Sequence, residues 1–153
     1  FTLVELIVVI SIMVTLLGIA TINLVGSQQM ASLTATEEIL LADLKQQQLK
    51  SMIGDTEGRA TSDSYGIHFD SNRYVTFHGS SYSSGDAFNA ITNLESNMQF
   101  NNAGFNIIFS KISGEISSAT ISATIIELQD NTNSKLKRIR LNTLGVITQV
   151  ESL

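Results

Sequence analysis

The first twenty-five residues, FTLVELIVVISIMVTLLGIATINLV, carry a single formal side-chain charge, and it is a carboxylate, Glu5. From residue 6 to residue 25 the apolar run is broken only by Ser11, Thr15, Gly18, Thr21 and Asn23. Twenty helical residues rise about 30 Å, the thickness of a bilayer's hydrocarbon core, so the segment is long enough to span a membrane. A carboxylate inside such a span costs about 2.5 to 3.5 kcal/mol, and Glu5 therefore calls for a cationic partner. The sequence opens at Phe1 with no basic leader, as expected of a chain cut just ahead of its apolar run, and the Phe1 amine is then the nearest cation. Two helices staggered by four residues, about 6 Å, set the Glu5 of one level with the amine of the other.

The start Phe1-Thr2-Leu3-Val4-Glu5-Leu6-Ile7, followed by an uncharged span, resembles the processed amino terminus of the type IV pilin superfamily. That superfamily comprises pilins, minor pilins and the pseudopilins of type II secretion. The resemblance implies that a prepilin peptidase cuts before Phe1, that the Phe1 amine is N-methylated, and that Glu5 recruits the incoming subunit. It further implies a homopolymer joined through N-terminal helices. Each chain is held as a single-pass segment in the cytoplasmic membrane until the pilus assembly machinery draws it into a cell-surface filament for adhesion or twitching motility. The segments YGIHF (65–69), FSKISGEI (109–116) and RIRLNTLGVI (138–147) resemble the minor pseudopilin subfamily of type II secretion, which implies a two-sheet body. The expected role is that of a major pilin. The alternatives are a minor pilin or secretion pseudopilin that primes or caps a filament, and a DNA-binding minor pilin for DNA uptake. A proline near position 22 commonly kinks the family's helix. Here Ile22 stands there and the chain has no proline, so Gly18 and Gly26 are the weak points, each about 1 kcal/mol worse than alanine.

The remaining pattern predicts an α+β fold in which a long N-terminal helix packs on an antiparallel β-sheet body. Residues 1–27 form the apolar half of the helix, 28–54 its amphipathic half, and 55–153 the globular body. Residues 28–53 lack proline and glycine, and Gly54-Asp55 ends the helix. Met30, Leu33, Leu40, Leu41 and Leu44 fall on one face and are expected to hold the body, with Glu37, Glu38, Asp43, Lys45 and Lys50 on a solvated face. After a connector at 59–64, pairing Ile67 and Phe69 with Phe77 and Val75 gathers four apolar side chains on one face. That register predicts a hairpin turning at Ser71-Asn72-Arg73. A polar loop (79–85) and a short helical turn within 86–97 follow. Strands are expected at 105–109, 115–128, 136–141 and 146–150, with turns at Ser113-Gly114, 130–134 and 142–145.

Composition narrows the chemistry. The net charge of -5 argues against a general nucleic-acid surface, and the absence of cysteine excludes disulfide staples. No GxSxG, HExxH, GxGxxG or phosphate-loop pattern is present, so a non-enzymatic, structural chain with no cofactor and no metal is expected. The register above puts His68 and His78 on the same outward strand face without a third ligand beside them. Asp55 with Glu57, and Asp130 with Asn131 and Asn133, read as turn formers, since neither has the spacing of a calcium loop. Lys135, Lys137, Arg138 and Arg140 make the one basic cluster, with Arg138 and Arg140 on one strand face, able to reach phosphates together. The cluster is similar to the arginine-bearing stretch of DNA-binding minor pilins, although their GRxR pattern reads KRIR here.

Overall fold

The computed structural model describes residues 2–117 and 124–153; the side chains of residues 20 and 22–25 lie outside that description. The expected amine partner, Phe1, and the middle of the strand expected at 115–128 also lie outside the described residues, as does the side chain of Ile22.

One helix, α1 (Leu3–Ile53), carries the chain from its apolar start to the body. It begins at a capping box: Thr2 accepts the Glu5 N–H while the Glu5 carboxylate accepts the Thr2 N–H, which satisfies two backbone donors that would otherwise lack partners. It ends where predicted, at Gly54, whose φ of 68° is left-handed and lets the Gly54 and Asp55 N–H groups both reach the Lys50 carbonyl. The buried face of its second half is Leu33, Glu37, Leu40, Leu44, Gln47 and Ser51, spaced alternately by four and three residues. This corrects the expected stripe. Met30 is exposed and Leu41 is only partly buried at the margin, while Glu37, assigned to solvent, belongs to the buried face. Glu38 and Lys45 are exposed as expected, but Asp43 and Lys50 are engaged, by Tyr74 and Glu57 respectively.

The body is two antiparallel sheets. The first, ordered β3-β2-β1-β5, is built from β1 (Tyr65–Asp70), β2 (Arg73–His78), β3 (Ala90–Asn93) and β5 (Phe105–Phe109). The second, ordered β4-β6-β7-β8, is built from β4 (Met98–Phe100), β6 (Ile125–Asp130), β7 (Lys135–Leu141) and β8 (Ile147–Ser152). Leu33, Leu40 and Leu44 of α1 pack with Ile67, Phe69, Ile107 and Phe109 of one sheet and Ile126, Leu128, Ile139 and Leu141 of the other. The helix is thus one wall of the core and not a tether beside it. Asn102 stitches the link between the sheets, its amide donating to the Ile125 carbonyl and its carbonyl oxygen accepting the Glu127 N–H.

Two sequence expectations for the body are overturned, and a third is met in part. The β1–β2 hairpin pairs Ile67 with Thr76 and Phe69 with Tyr74, one residue away from the predicted register, so only Ser71 and Asn72 turn the chain. The cause is Tyr74: its ring is buried among Phe69 and Phe100, and its hydroxyl donates to Asp43 Oδ2 at 2.6 Å. It takes the core position assigned to Val75. Val75 and Phe77 therefore face the other side of the sheet, where Tyr82 meets Phe77 edge-on and stacks on His68 at 4.0 Å. Gly66 is required beneath Phe77, because a Cβ there would come within 2.6 Å of the Ile107 carbonyl and 2.9 Å of the Phe77 ring. In place of the expected helical turn within 86–97, a single hydrogen-bonded turn at Asp86–Asn89 leads into β3, which pairs with the free edge of β2. Of the long strand expected at 115–128, only Ile116, bridging to Phe109, and β6 from Ile125 onward are extended pairs among the described residues.

Candidate assembly surface

The N-terminal part of α1 has no cover. From Leu3 to Ile19 the large hydrophobic side chains are 46% to 74% exposed, and Glu5 is the one charge among them. The hydroxyls in this run turn inward on their own helix: Ser11 donates to the Ile7 carbonyl, Thr15 to Ser11 and Ile12, and Thr21 to Leu17. Among the described residues each of these hydroxyls is thereby partnered within the helix and strands no donor in an apolar environment. Among the described residues no helix is long and apolar enough to cross a membrane. The predicted span, 6–25, includes positions whose side chains are not described.

Among the described residues, Glu5 is held by Thr2. Its Oε2 accepts from the Thr2 backbone N–H at 2.8 Å and from the Thr2 hydroxyl at 3.1 Å. The charge argument missed this role, although the spacing Thr2-x-x-Glu5 ahead of an apolar run is itself a capping-box signal. The cap uses Oε2, and among the described residues no donor reaches Oε1.

The basic cluster is not gathered into one surface. Lys137 points to the core side of β7, where its ammonium lies 2.9 Å from Glu37 Oε2 as an ion pair off the line of a hydrogen bond. Arg138 lies on the outer face, bound to Glu127 at 2.8 Å and near Glu151 at 3.8 Å. Arg140 shares that face, as predicted, and of the four cations it and Lys135 alone lack an ion-pair partner among the described residues. Two of the four charges are thus already neutralised inside the fold.

The two histidines lie on opposite faces of their sheet, a correction that follows from the shifted register. His68 sits opposite Val75 with Nδ1 2.6 Å from Asn106 Oδ1 and Nε2 3.1 Å from Asp70 Oδ1. His78 sits opposite Tyr65, with Nε2 3.0 Å from Asp86. Arg73 holds the Asp70 carboxyl below the usual carboxylate range, burial opposing and His68 assisting. The two acidic turns do backbone work: Asp55 Oδ1 accepts the Glu57 N–H and Asp130 Oδ1 accepts the Thr132 N–H. Compared with known proteins, the chain matches no family model, no curated protein and no solved structure.

Proposed function

We propose that this chain is the structural subunit of a type IV pilus-like filament, assembled through the N-terminal part of α1. The observation that carries the reading is the uncovered run from Leu3 to Ile19, apolar on every side, internally satisfied at each hydroxyl and bearing one carboxylate. A surface of that size and character needs apolar surroundings, first lipid and then neighbouring helices, because exposed contiguous apolar area is a strong drive to association. On this reading Glu5 serves two partners in turn. It caps its own helix through Thr2, and on assembly it pairs with the amine of a neighbour's Phe1. The body, clamped on the second half of α1, faces outward for surface contact.

The test separates capping from charge. Glu5→Gln keeps an acceptor for the Thr2 N–H but removes the negative charge. Even complete loss of the cap costs only about 0.5 to 2 kcal/mol, too little to unfold the chain. Glu5→Gln and Glu5→Ala should both accumulate in the membrane fraction and vanish from filaments sheared off the cell. Filaments from the glutamine variant at normal yield would refute the pairing. A dominant band of this chain in the wild-type sheared fraction identifies the major subunit; a trace band identifies a priming or capping one.

A further inference from the structure

Two lysines of β7 face the helix, and α1 supplies an acid for one of them. Lys135, Lys137 and Ile139 share one side of the strand, and Lys137 meets Glu37 at 2.9 Å. One step along that row, about 6.7 Å from Lys137 to Lys135, matches about one helical turn, from Glu37 to Leu33. There α1 offers nothing to a cation, since it carries no charge between Glu5 and Glu37. Asp130 stands opposite Lys135 across the β6–β7 ladder, but among the described residues no ion pair joins them. The Asp130 Oδ1 accepts instead from the Thr132 N–H at 2.8 Å and from the Asn97 amide at 3.3 Å.

What Lys135 faces is a groove. A hollow of about 360 Å³ lies between α1 and the β6–β7 turn, lined by Met30 and Leu33 on the helix and by Asn133, Asp130 and Lys135 on the body, and it reaches Gly26. A smaller hollow of about 60 Å³ continues past the same Met30, Leu33 and Lys135 to Leu153. Met30 is 41% exposed, an apolar wall that its own subunit leaves uncovered. Asn133 donates to Gln29 Oε1, which ties the turn to the helix and fixes the groove between them.

Position along the helix selects the ligand. The apolar run ends at residue 25, and Met30 lies five residues, about 7.5 Å, beyond it. The headgroup layer on each side of a bilayer is about 5 to 7.5 Å deep. With 6–25 in the hydrocarbon, the groove therefore stands at the level of the headgroups. We infer that it binds an anionic glycerophospholipid of the leaflet beneath the body, the phosphate on Lys135 and the upper part of an acyl chain against Met30 and Leu33. A zwitterionic headgroup brings its own cation, so an unpaired lysine favours a net negative one. The inference rests on the membrane-stored state of the filament reading, and it gives that state a specific contact, which the subunit must release when it leaves the bilayer.

The full chain is reconstituted into phosphatidylcholine vesicles with a trace of spin-labelled phosphatidylglycerol or spin-labelled phosphatidylcholine, and the immobilised fraction of each label is read. Phosphatidylglycerol should be favoured about fivefold, the worth of one lysine at an anionic surface. Lys135→Gln should abolish the preference. Met30→Glu, which puts an acid beside Lys135 within the subunit, should abolish it as well. Both positions are exposed, so both variants should melt as the wild type does. Lys111→Gln removes an equal charge beside the last turn of α1, where Ile112 is bonded to Ser51, and should keep the preference. Inorganic phosphate in excess should not displace the lipid; displacement would mean a site for free phosphate and overturn the assignment. Equal immobilisation of the two lipids, or a preference that survives Lys135→Gln, overturns the groove and leaves the Glu5 filament assay standing. A wild-type chain that fails to float with the vesicles overturns the membrane-stored state, and the groove with it.

Discussion

The ion pair between Glu37 and Lys137 offers the sharpest test of how the helix joins the body. The two side chains are 9% and 12% exposed and their charged atoms lie 2.9 Å apart. At an effective dielectric of about 20 the attraction is about 6 kcal/mol, most of which offsets the desolvation of both groups. Removing one partner leaves the other buried and uncompensated, at a typical cost of about 3 to 5 kcal/mol. The two singles should differ. Lys137→Met strands a carboxylate whose Oε2 has no hydrogen-bond donor, whereas Glu37→Leu leaves a lysine whose long stem can carry its ammonium to water. Lys137→Met should therefore take the larger loss, and Glu37→Leu about half of it. The double variant, an apolar pair of similar volume, should return to within about 1 kcal/mol of wild type or exceed it. With a urea slope near 2 kcal/mol/M, a loss of about 4 kcal/mol lowers the midpoint by about 2 M, well outside error. A loss below about 1 kcal/mol for Lys137→Met, or a double variant no better than the worse single, would refute the view that this seam excludes water.

Leu44→Ala, at a fully buried position facing both sheets, should cost about 2 to 5 kcal/mol, while Glu38→Ala on the exposed side should stay within about 0.5 kcal/mol; equal small effects in denaturant titration would mean that the helix is a tether. Burial, with the Asp43 carboxylate beside it, holds the Tyr74 phenol well above its ordinary value of about 10, so the folded state favours the protonated form. That contribution is fully present below about pH 10 and is lost as pH rises beyond it. Tyr74→Phe should therefore flatten the alkaline fall in stability, measured by denaturant midpoints from pH 9 upward, and an unchanged slope would count against the buried phenol as its source.

Long-range organisation was more legible than register. The absence of proline from the first half of the chain, and Gly54 after a run of good helix formers, announced α1 and its end. The late strands around Ile139 and Ile147 stood out by alternation and by the turn at Gly145, which has a φ of 74°. What failed was residue type used as a proxy for burial. Glu37 lies at one edge of the buried arc, but a lone glutamate reads as solvent-facing until Lys137, a hundred residues later, supplies its partner. Tyr74 takes the core place that the apolar pattern gave to Val75, which moves the hairpin by one. β3 carries only Ile91 as a sizeable apolar residue and is extended because β2 offers an unpaired edge, which no local pattern reveals.

The attachment of the body along the second half of α1 also decides how the subunit bears mechanical load. Tension applied to the N-terminal end runs down an unbroken helix about 75 Å long and reaches the body parallel to the seam. Cross-links are spread along that seam: Ser32 to Glu95, Glu37 to Lys137, Asp43 to Tyr74, Gln48 to the Gly114 and Leu144 carbonyls, and Ser51 to the Phe109 carbonyl and the Tyr65 N–H. Such a joint is strained in shear, so its bonds share the force and rupture together, whereas a body hung from one end of the helix would unzip bond by bond.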